Sequence, residues 1–260
     1  MKTSIVIPST NSHFKYLDKV FLSYVNQTMK PEEIVVSVAN GHLINKEEVD
    51  ALKSKYSEHF ENIEVILHNR VVPEGPNRGE GTKVASNELI MYNDSDDLAH
   101  PQRVEIVKQA FETYDINHLN HSYSFEERFD VIKEVVTVES QVMFNMFFPS
   151  FVSWDQKDRA LKRCGLYINP IRKTRPSIVY GPLGNALPYG CRDYFNMDIT
   201  AGSLCILKNV TDVIHWEWDV DVSYDYDFCM DTLFHFNSSI LIDAPLIWYN
   251  KIGNMEWFCK

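Results

Sequence analysis

The chain has 260 residues, of which 45% are hydrophobic and 23% charged, and a formal net charge of −11. That length fits one large domain or two small ones, with enough apolar material to hold a core without disulfides. The acidic balance argues against general binding to nucleic acid or anionic lipid, and no apolar run reaches the roughly 18 residues that a membrane span needs.

The first hundred residues alternate strand and helix signals. Ser4-Ile5-Val6-Ile7, ended by Pro8, reads as a buried strand. Leu17, Val20, Phe21, Tyr24 and Val25 recur at helical spacing, with Asn11 or Ser12 as the expected cap. Glu33 to Val38 reads as a second strand, stopped by Asn40-Gly41. A helix carrying Val49, Leu52 and Tyr56 follows, then a strand from Ile63 to Leu67. Pro73 to Gly81 reads as a loop leading into a short helix, with Arg78 exposed in it or reaching a phosphate. Leu89-Ile90-Met91-Tyr92 is a fourth strand, running into Asp94-Ser95-Asp96-Asp97, and Pro101 opens a helix whose apolar face is Val104, Val107 and Phe111. Strands alternating with helices imply parallel βαβ units, whose ligands sit at the carboxyl ends of the strands.

The second half is less regular. Phe129 to Val138 reads as extended, and the Met- and aromatic-rich run Gln141 to Trp154 reads as core. His118 and His121 fall on a strand, where residues three apart face opposite ways, so they are not read as a metal pair. Segment 155–175 is basic, and Ile171 to Arg175 reads as a surface loop or a lid. Segment 193–260 is acidic. Strands are expected at Ser203 to Leu207, Ser239 to Asp243 and Leu246 to Tyr249, and a helix from Asp225 to Phe236. With no repeat, low-complexity tract or linker, 1–260 is read as one domain.

Five cysteines, an odd number without a CxxC pair, and an apolar run before Pro8 too short for a signal peptide lead us to expect reduced thiols and a cytoplasmic protein.

Three carboxylates in the four residues 94–97 repel one another. Either a hard divalent cation neutralises them, or they cap the following helix, Asp97 above all.

Here the sequence resembles the family 2 glycosyltransferases. The resemblance is carried by Ser4 to Asn11, Leu17, Ser23, Gln27-Thr28 and Pro31 to Val36. It continues through Arg78-Gly79-Glu80-Gly81, Ala85, Asn87 to Asp97, His100-Pro101 and Arg103. It covers about residues 4–112 in one register, and Asn93-Asp94-Ser95-Asp96-Asp97 falls on the family's DxD stretch. Further on, Gly202 to Ile206 resembles the strand before the acceptor site, and Asp225-Tyr226-Asp227-Phe228 the Glu-Asp motif.

The resemblance implies a GT-A fold, a single mostly parallel sheet flanked by helices, and inverting transfer of a sugar from a nucleoside-diphosphate donor, a UDP-sugar as first choice. The acceptor would be a glycan or another hydroxyl compound. It implies a divalent cation, Mn²⁺ or Mg²⁺, with Asp94 and Asp96 as ligands. Pro8, Ser9 and Asn11 would line the nucleobase pocket, and Arg78, Asp94 and Ser95 would face the donor. Asp225 would be the general base.

The sequence departs from the pattern in places. Asn40 stands where the family has an Asp that reads the base, Tyr224 stands for the Glu before the base, and Asp231 for a common Arg. Asp219, Asp221 and Asp227 are rivals to Asp225, and the bland reading of His215 to Asp227 is a solvated face anchored by Trp216 and Trp218. A non-catalytic nucleotide-sugar or glycan-binding module is the alternative. A sugar nucleotidyltransferase would need a Gly-rich basic loop after the first strand, and Ser9 to His13 is not one.

Overall fold

The computed structural model describes residues 1–124, 129–135, 137–139, 151–155, 160–163, 166–168, 201–216, 228, 232, 235–236 and 238–250. Strands β1 (Thr3–Thr10), β2 (Glu33–Ala39), β3 (Asn62–Leu67) and β4 (Leu89–Tyr92) alternate with helices α1 (Leu17–Val25), α2 (Lys46–Tyr56) and α3 (Glu74–Val84). Then come β5 (Leu98–Ala99), α4 (Arg103–Thr113), β6 (His118–Ser124), β7 (Thr137–Glu139), β8 (Phe151–Asp155), β9 (Ala160–Arg163), β10 (Leu166–Ile168), β11 (Cys205–Leu207) and β12 (Ser239–Trp248).

Among the described residues nine strands form one sheet in the order β3-β2-β1-β4-β11-β6-β12-β5, with β7 beside β12; β8 to β10 form a second, antiparallel sheet. The pairs β3–β2, β2–β1, β1–β4 and β6–β12 are parallel, and β11 enters antiparallel between β4 and β6. Strands from both halves of the sequence thus share one sheet.

Both faces of β1 are covered. Ile5 and Ile7 pack with α1, α2 and α4 on one side, whereas Val6 packs with Val35, Ile90, Tyr92 and Trp216 on the other. A strand buried on both faces reads as a continuous apolar run, which is why β1, β2 and β4 stand out in the sequence.

Four local expectations are corrected. The stretch from Glu74 is helix α3, not a loop. Pro76 lies in its first turn, where a missing N–H costs nothing. Gly79 and Gly81 let the helix lie close: a Cβ on Gly81 would stand 2.6 Å from Val6 Cγ1, and one on Gly79 3.3 Å from Trp216. Neither Asn11 nor Ser12 caps α1. That helix starts at Leu17 after a 3-10 turn, and the Ser12 hydroxyl pairs with that of Thr10 at 2.9 Å. Asp97 caps nothing either, since α4 begins at Arg103 behind Gln102. The two expected last strands are one, β12, irregular in register around Pro245.

At the amino end of β2, buried Glu33 accepts from Ser4 Oγ and the Ser86 N–H through one oxygen, and from Asn62 Nδ2 and Ser86 Oγ through the other. Burial pushes its pKa up, but these bonds outweigh it and the pKa is lowered.

His118 and His121 are buried on β6. Burial pushes His118 down to about 3, and burial followed by the Arg103 charge holds His121 well below the usual value. Below pH ~6.5 the unfolded chain therefore takes up protons that the folded chain refuses. Stability should fall with pH below that point, by up to about 1.4 kcal/mol per unit for each histidine. Melting temperatures between pH 7 and pH 5 check this. His118→Leu should remove one histidine's share of the slope, and an unchanged slope would mean that His118 is not neutral in the fold.

Candidate active site

The site is built at the carboxyl ends of the parallel strands. β4 pairs with β1 up to Val6 and Tyr92, and Asn93 N–H continues the ladder to Val6 O at 3.1 Å. The chain then turns sharply, with Asp97 N–H donating to Asp94 O at 3.2 Å. This turn brings Asp94, Ser95 and Asp96 together above β4.

Asp94 is held on two sides. Arg78 from α3, fully buried, donates through Nη2 to Asp94 Oδ1 at 2.5 Å and to Glu74 Oε1 at 2.6 Å. The Asp94 side chain keeps 22% exposure. Opposite, the backbone at Gly202 comes so near that an added Cβ would stand 3.0 Å from Asp94 Oδ2. Arg78 is thus not an exposed loop residue: it is buried on α3, and its Nη2 serves the carboxylate turn.

The guanidinium also lies 5.6 Å from the Trp216 ring centre. Trp216 is buried, stacks on Phe228 at 4.1 Å with the planes 10° apart, and donates from Nε1 to Tyr92 Oη at 3.3 Å. The anchoring expected of Trp216 is therefore present. Trp218, Asp219, Asp221, Tyr224, Asp225, Asp227, Asp231, Ile171 to Arg175 and residues 141–150 lie outside the described residues.

Burial pushes the Asp96 carboxyl above its usual value; His13 opposes that shift and Glu74 adds to it. Burial, and then the Asp94 charge, push Asp97 well above. Asp97 Oδ1 accepts the Asn250 N–H at 2.9 Å, tying the second residue past β12 to the turn.

Two part-exposed carboxylates in one turn are the hard oxygen donors that Mg²⁺ or Mn²⁺ takes beside substrate phosphates. A cation there would offset the cost of charging Asp96, so the residues fit such a group. Among the described residues no group of three or more His, Cys, Asp or Glu forms a fuller cage.

The other donor-side residues converge on the same strand ends. Pro8 and Ser9 close β1 and are buried. Asn11 N–H donates to Ala39 O at 3.2 Å, joining the ends of β1 and β2. Asn40 follows β2 in the left-handed region, φ 54°, with its N–H on Arg70 O at 2.9 Å. Asn tolerates that conformation better than most residues. Below them a directed chain runs from His68 Nε2–H to Ser37 Oγ (2.9 Å), from Ser37 to Asn77 Oδ1 (2.6 Å), and from Asn77 Nδ2 to Ser9 O (2.9 Å).

Sequence reasoning missed Asn77, Ser37 and His68, as well as Tyr24, Asn93 and the role of Arg103. One signal was present: an arginine heading the otherwise apolar face of α4.

Comparison with known proteins agrees with this geometry. The family profile described as Glycosyl transferase family 2 matches residues 4–150. An uncharacterized glycosyltransferase of Methanocaldococcus jannaschii is 27% identical over 133 residues, 50% of this chain and 45% of that one. S. aureus TarS 1–349 in complex with UDP superposes with a TM-score of 0.60 at 14% identity, over 96% of this chain and 60% of that one. TarS 1–349 with UDP-GlcNAc gives 0.58 at 14% identity, over 96% and 58%. The chain spans about half the length of the curated relative. The structural likeness shows the fold, the GT-A arrangement of a mostly parallel sheet flanked by helices. Among the described residues no helix is long and apolar enough to cross a membrane.

Proposed function

Because the chain belongs to glycosyl transferase family 2, we propose that it moves a sugar from a nucleoside-diphosphate sugar to an acceptor hydroxyl by an inverting single displacement. The observation that carries the reading is the Asp94 to Asp97 turn at the end of β4, with Asp94 fixed between buried Arg78 and Gly202. Residues 1–115 form the donor half and 116–260 the acceptor half of one unit.

Asp94 and Asp96 would hold Mn²⁺ or Mg²⁺, which when bound supplies Lewis acidity to a departing diphosphate. Arg78 holds and aims Asp94. Pro8, Ser9, Asn11 and Asn40 line the base pocket, with Ser95 beside the donor. Asp225 accepts the proton of the acceptor hydroxyl as its oxygen attacks the anomeric carbon. The TarS structures with UDP and UDP-GlcNAc support a UDP-sugar as the first donor to try. Asn40 both donates and accepts, whereas an ionised Asp only accepts, so discrimination for uracil should be weaker than an Asp would give.

Calorimetry tests both points. UDP should bind clearly more tightly with Mn²⁺ than in excess chelator, and GDP and dTDP should bind within about tenfold of UDP, since one hydrogen-bonding contact is worth about 1 kcal/mol. Asp96→Asn should lose the Mn²⁺ dependence and keep its melting temperature. Equal binding in chelator would count against the cation, and full activity in Asp96→Asn would show its role to be misassigned. Metal-dependent binding with no transfer to any acceptor would favour the non-catalytic module.

A further inference from the structure

Arg103, at the start of α4, is fully buried. Its Nε donates to His121 Nε2 at 3.1 Å. Its Nη1 donates to Tyr24 Oη at 2.6 Å and to Asn93 Oδ1 at 2.9 Å. Its Nη2 donates to Tyr92 O at 2.6 Å and to Gly202 O at 3.0 Å. A guanidinium carries five N–H donors, and here every one has an acceptor. None of the five is a carboxylate, so the group is held by oriented neutral dipoles from α1, β4, β6 and the turn at Gly202. His121 Nδ1 is 2.8 Å from Ser122 O and donates to it, which leaves Nε2 to accept from Arg103.

Two of these acceptors are walls of the Asp94 site. Tyr92 precedes Asp94 by two residues, and Gly202 is the backbone against which Asp94 Oδ2 rests. A single nitrogen, Nη2, holds both carbonyls and so sets the gap between them. Through Nη1 the same side chain orients Asn93, whose Nδ2 donates to Asp94 O at 2.7 Å and to Asp97 O at 3.0 Å, closing the turn.

We propose that Arg103 is a positioning residue for the carboxylate turn: it fixes the end of β4 against Gly202 and thereby aims Asp94 and Asp96 at the cation and diphosphate. The inference rests on the reading of that turn as the cation–diphosphate site. Arg103 touches neither ligand and acts through Tyr92, Asn93 and Gly202. Lysine, a point charge with three donors, can bond at most three of the five acceptors.

The test is Mn²⁺-dependent UDP binding by calorimetry, with melting temperatures alongside, for wild type, Arg103→Lys, Tyr24→Phe and Glu33→Gln. Groups that orient metal ligands typically contribute about 10–100-fold to metal affinity. Arg103→Lys should weaken Mn²⁺-dependent binding by that order. Tyr24→Phe keeps the volume, removes the bond from Arg103 Nη1 and the Tyr24 Oη–H bond to Asn93 Oδ1, and should weaken it at least about fivefold. Glu33→Gln disturbs the opposite ends of the same strands and should melt earlier with unchanged affinity. If Arg103→Lys does not fold, Tyr24→Phe decides. Wild-type affinity in the folded Arg103 variant, or in Tyr24→Phe where that one alone folds, overturns the proposal, as does an equal loss in Glu33→Gln. A wild-type chain that binds UDP equally with and without Mn²⁺ overturns the reading of the turn instead, and this inference with it.

Discussion

Arg78→Met should lower the melting temperature by about 10 °C. Arg78 is fully buried and its one charge faces Asp94 at 2.5 Å and Glu74 at 2.6 Å. Removing one partner of a buried ion pair costs about 3–5 kcal/mol, because the other charge stays behind uncompensated. Asp94 keeps 22% exposure, so the lower end applies. For a domain of this size each kcal/mol moves the midpoint by about 2–4 °C, so about 3 kcal/mol corresponds to that shift. Arg78→Lys should lose less, since the charge remains and one nitrogen, Nη2, already serves both carboxylates, but the planar group beside Trp216 is lost. Nucleotide binding should fall with stability in the Met variant, because Asp94 loses the group that aims it. Met is nearly as long as Arg and apolar, so an unchanged midpoint in Arg78→Met would mean that the side chain is only filler.

What the sequence disclosed depends on which physical signal each residue left. The strands β1, β2 and β4 lie inside the sheet, and a strand covered on both faces has no choice but an unbroken apolar run. The acidic turn was legible because three carboxylates in four residues are costly unless something uses them. Helix α3 was hidden because Gly75, Pro76, Gly79 and Gly81 normally punctuate loops. Here Pro76 occupies a first turn and Gly79 and Gly81 make room for Trp216 and Val6. Asp97 looked like a helix cap because its partner, the Asn250 N–H, lies 153 residues away in sequence. The five acceptors of Arg103 come from four separate segments, and no local pattern announces such a set. Two-residue β5 is too short to leave a period, and β12 looked like two strands because Pro245 interrupts its register.

The largest loss of turnover is expected at Asp225. It lies outside the described residues, so the expectation rests on sequence and on its neighbour Phe228, three positions on, which stacks on Trp216 beside the Arg78 guanidinium. The Asp225-Tyr226-Asp227-Phe228 stretch resembles the family's Glu-Asp motif, whose second acid is the base, and Asp225 takes that position. Phe228, Thr232, His235 and Phe236 have helical backbone; that Asp225 starts a helix is the expectation from the sequence. A carboxylate at the start of a helix is favoured in its ionised form, the form that accepts a proton. Losing a general base typically costs about 10²–10⁴-fold in rate. Asp225→Asn should lower turnover by that order while Mn²⁺-dependent UDP affinity stays within about twofold, since a base for the acceptor hydroxyl contributes to the transition state and not to donor binding. Asp227→Asn should do much less. If Asp227→Asn were the inactive variant and Asp225→Asn stayed active, the motif would be displaced by two residues in this chain. If neither slowed transfer, while Asp219→Asn or Asp221→Asn did, the base would come from the acidic run before the helix. If none of the four mattered, the acceptor hydroxyl would not need a carboxylate base and direct displacement assisted by Asp225 would be wrong.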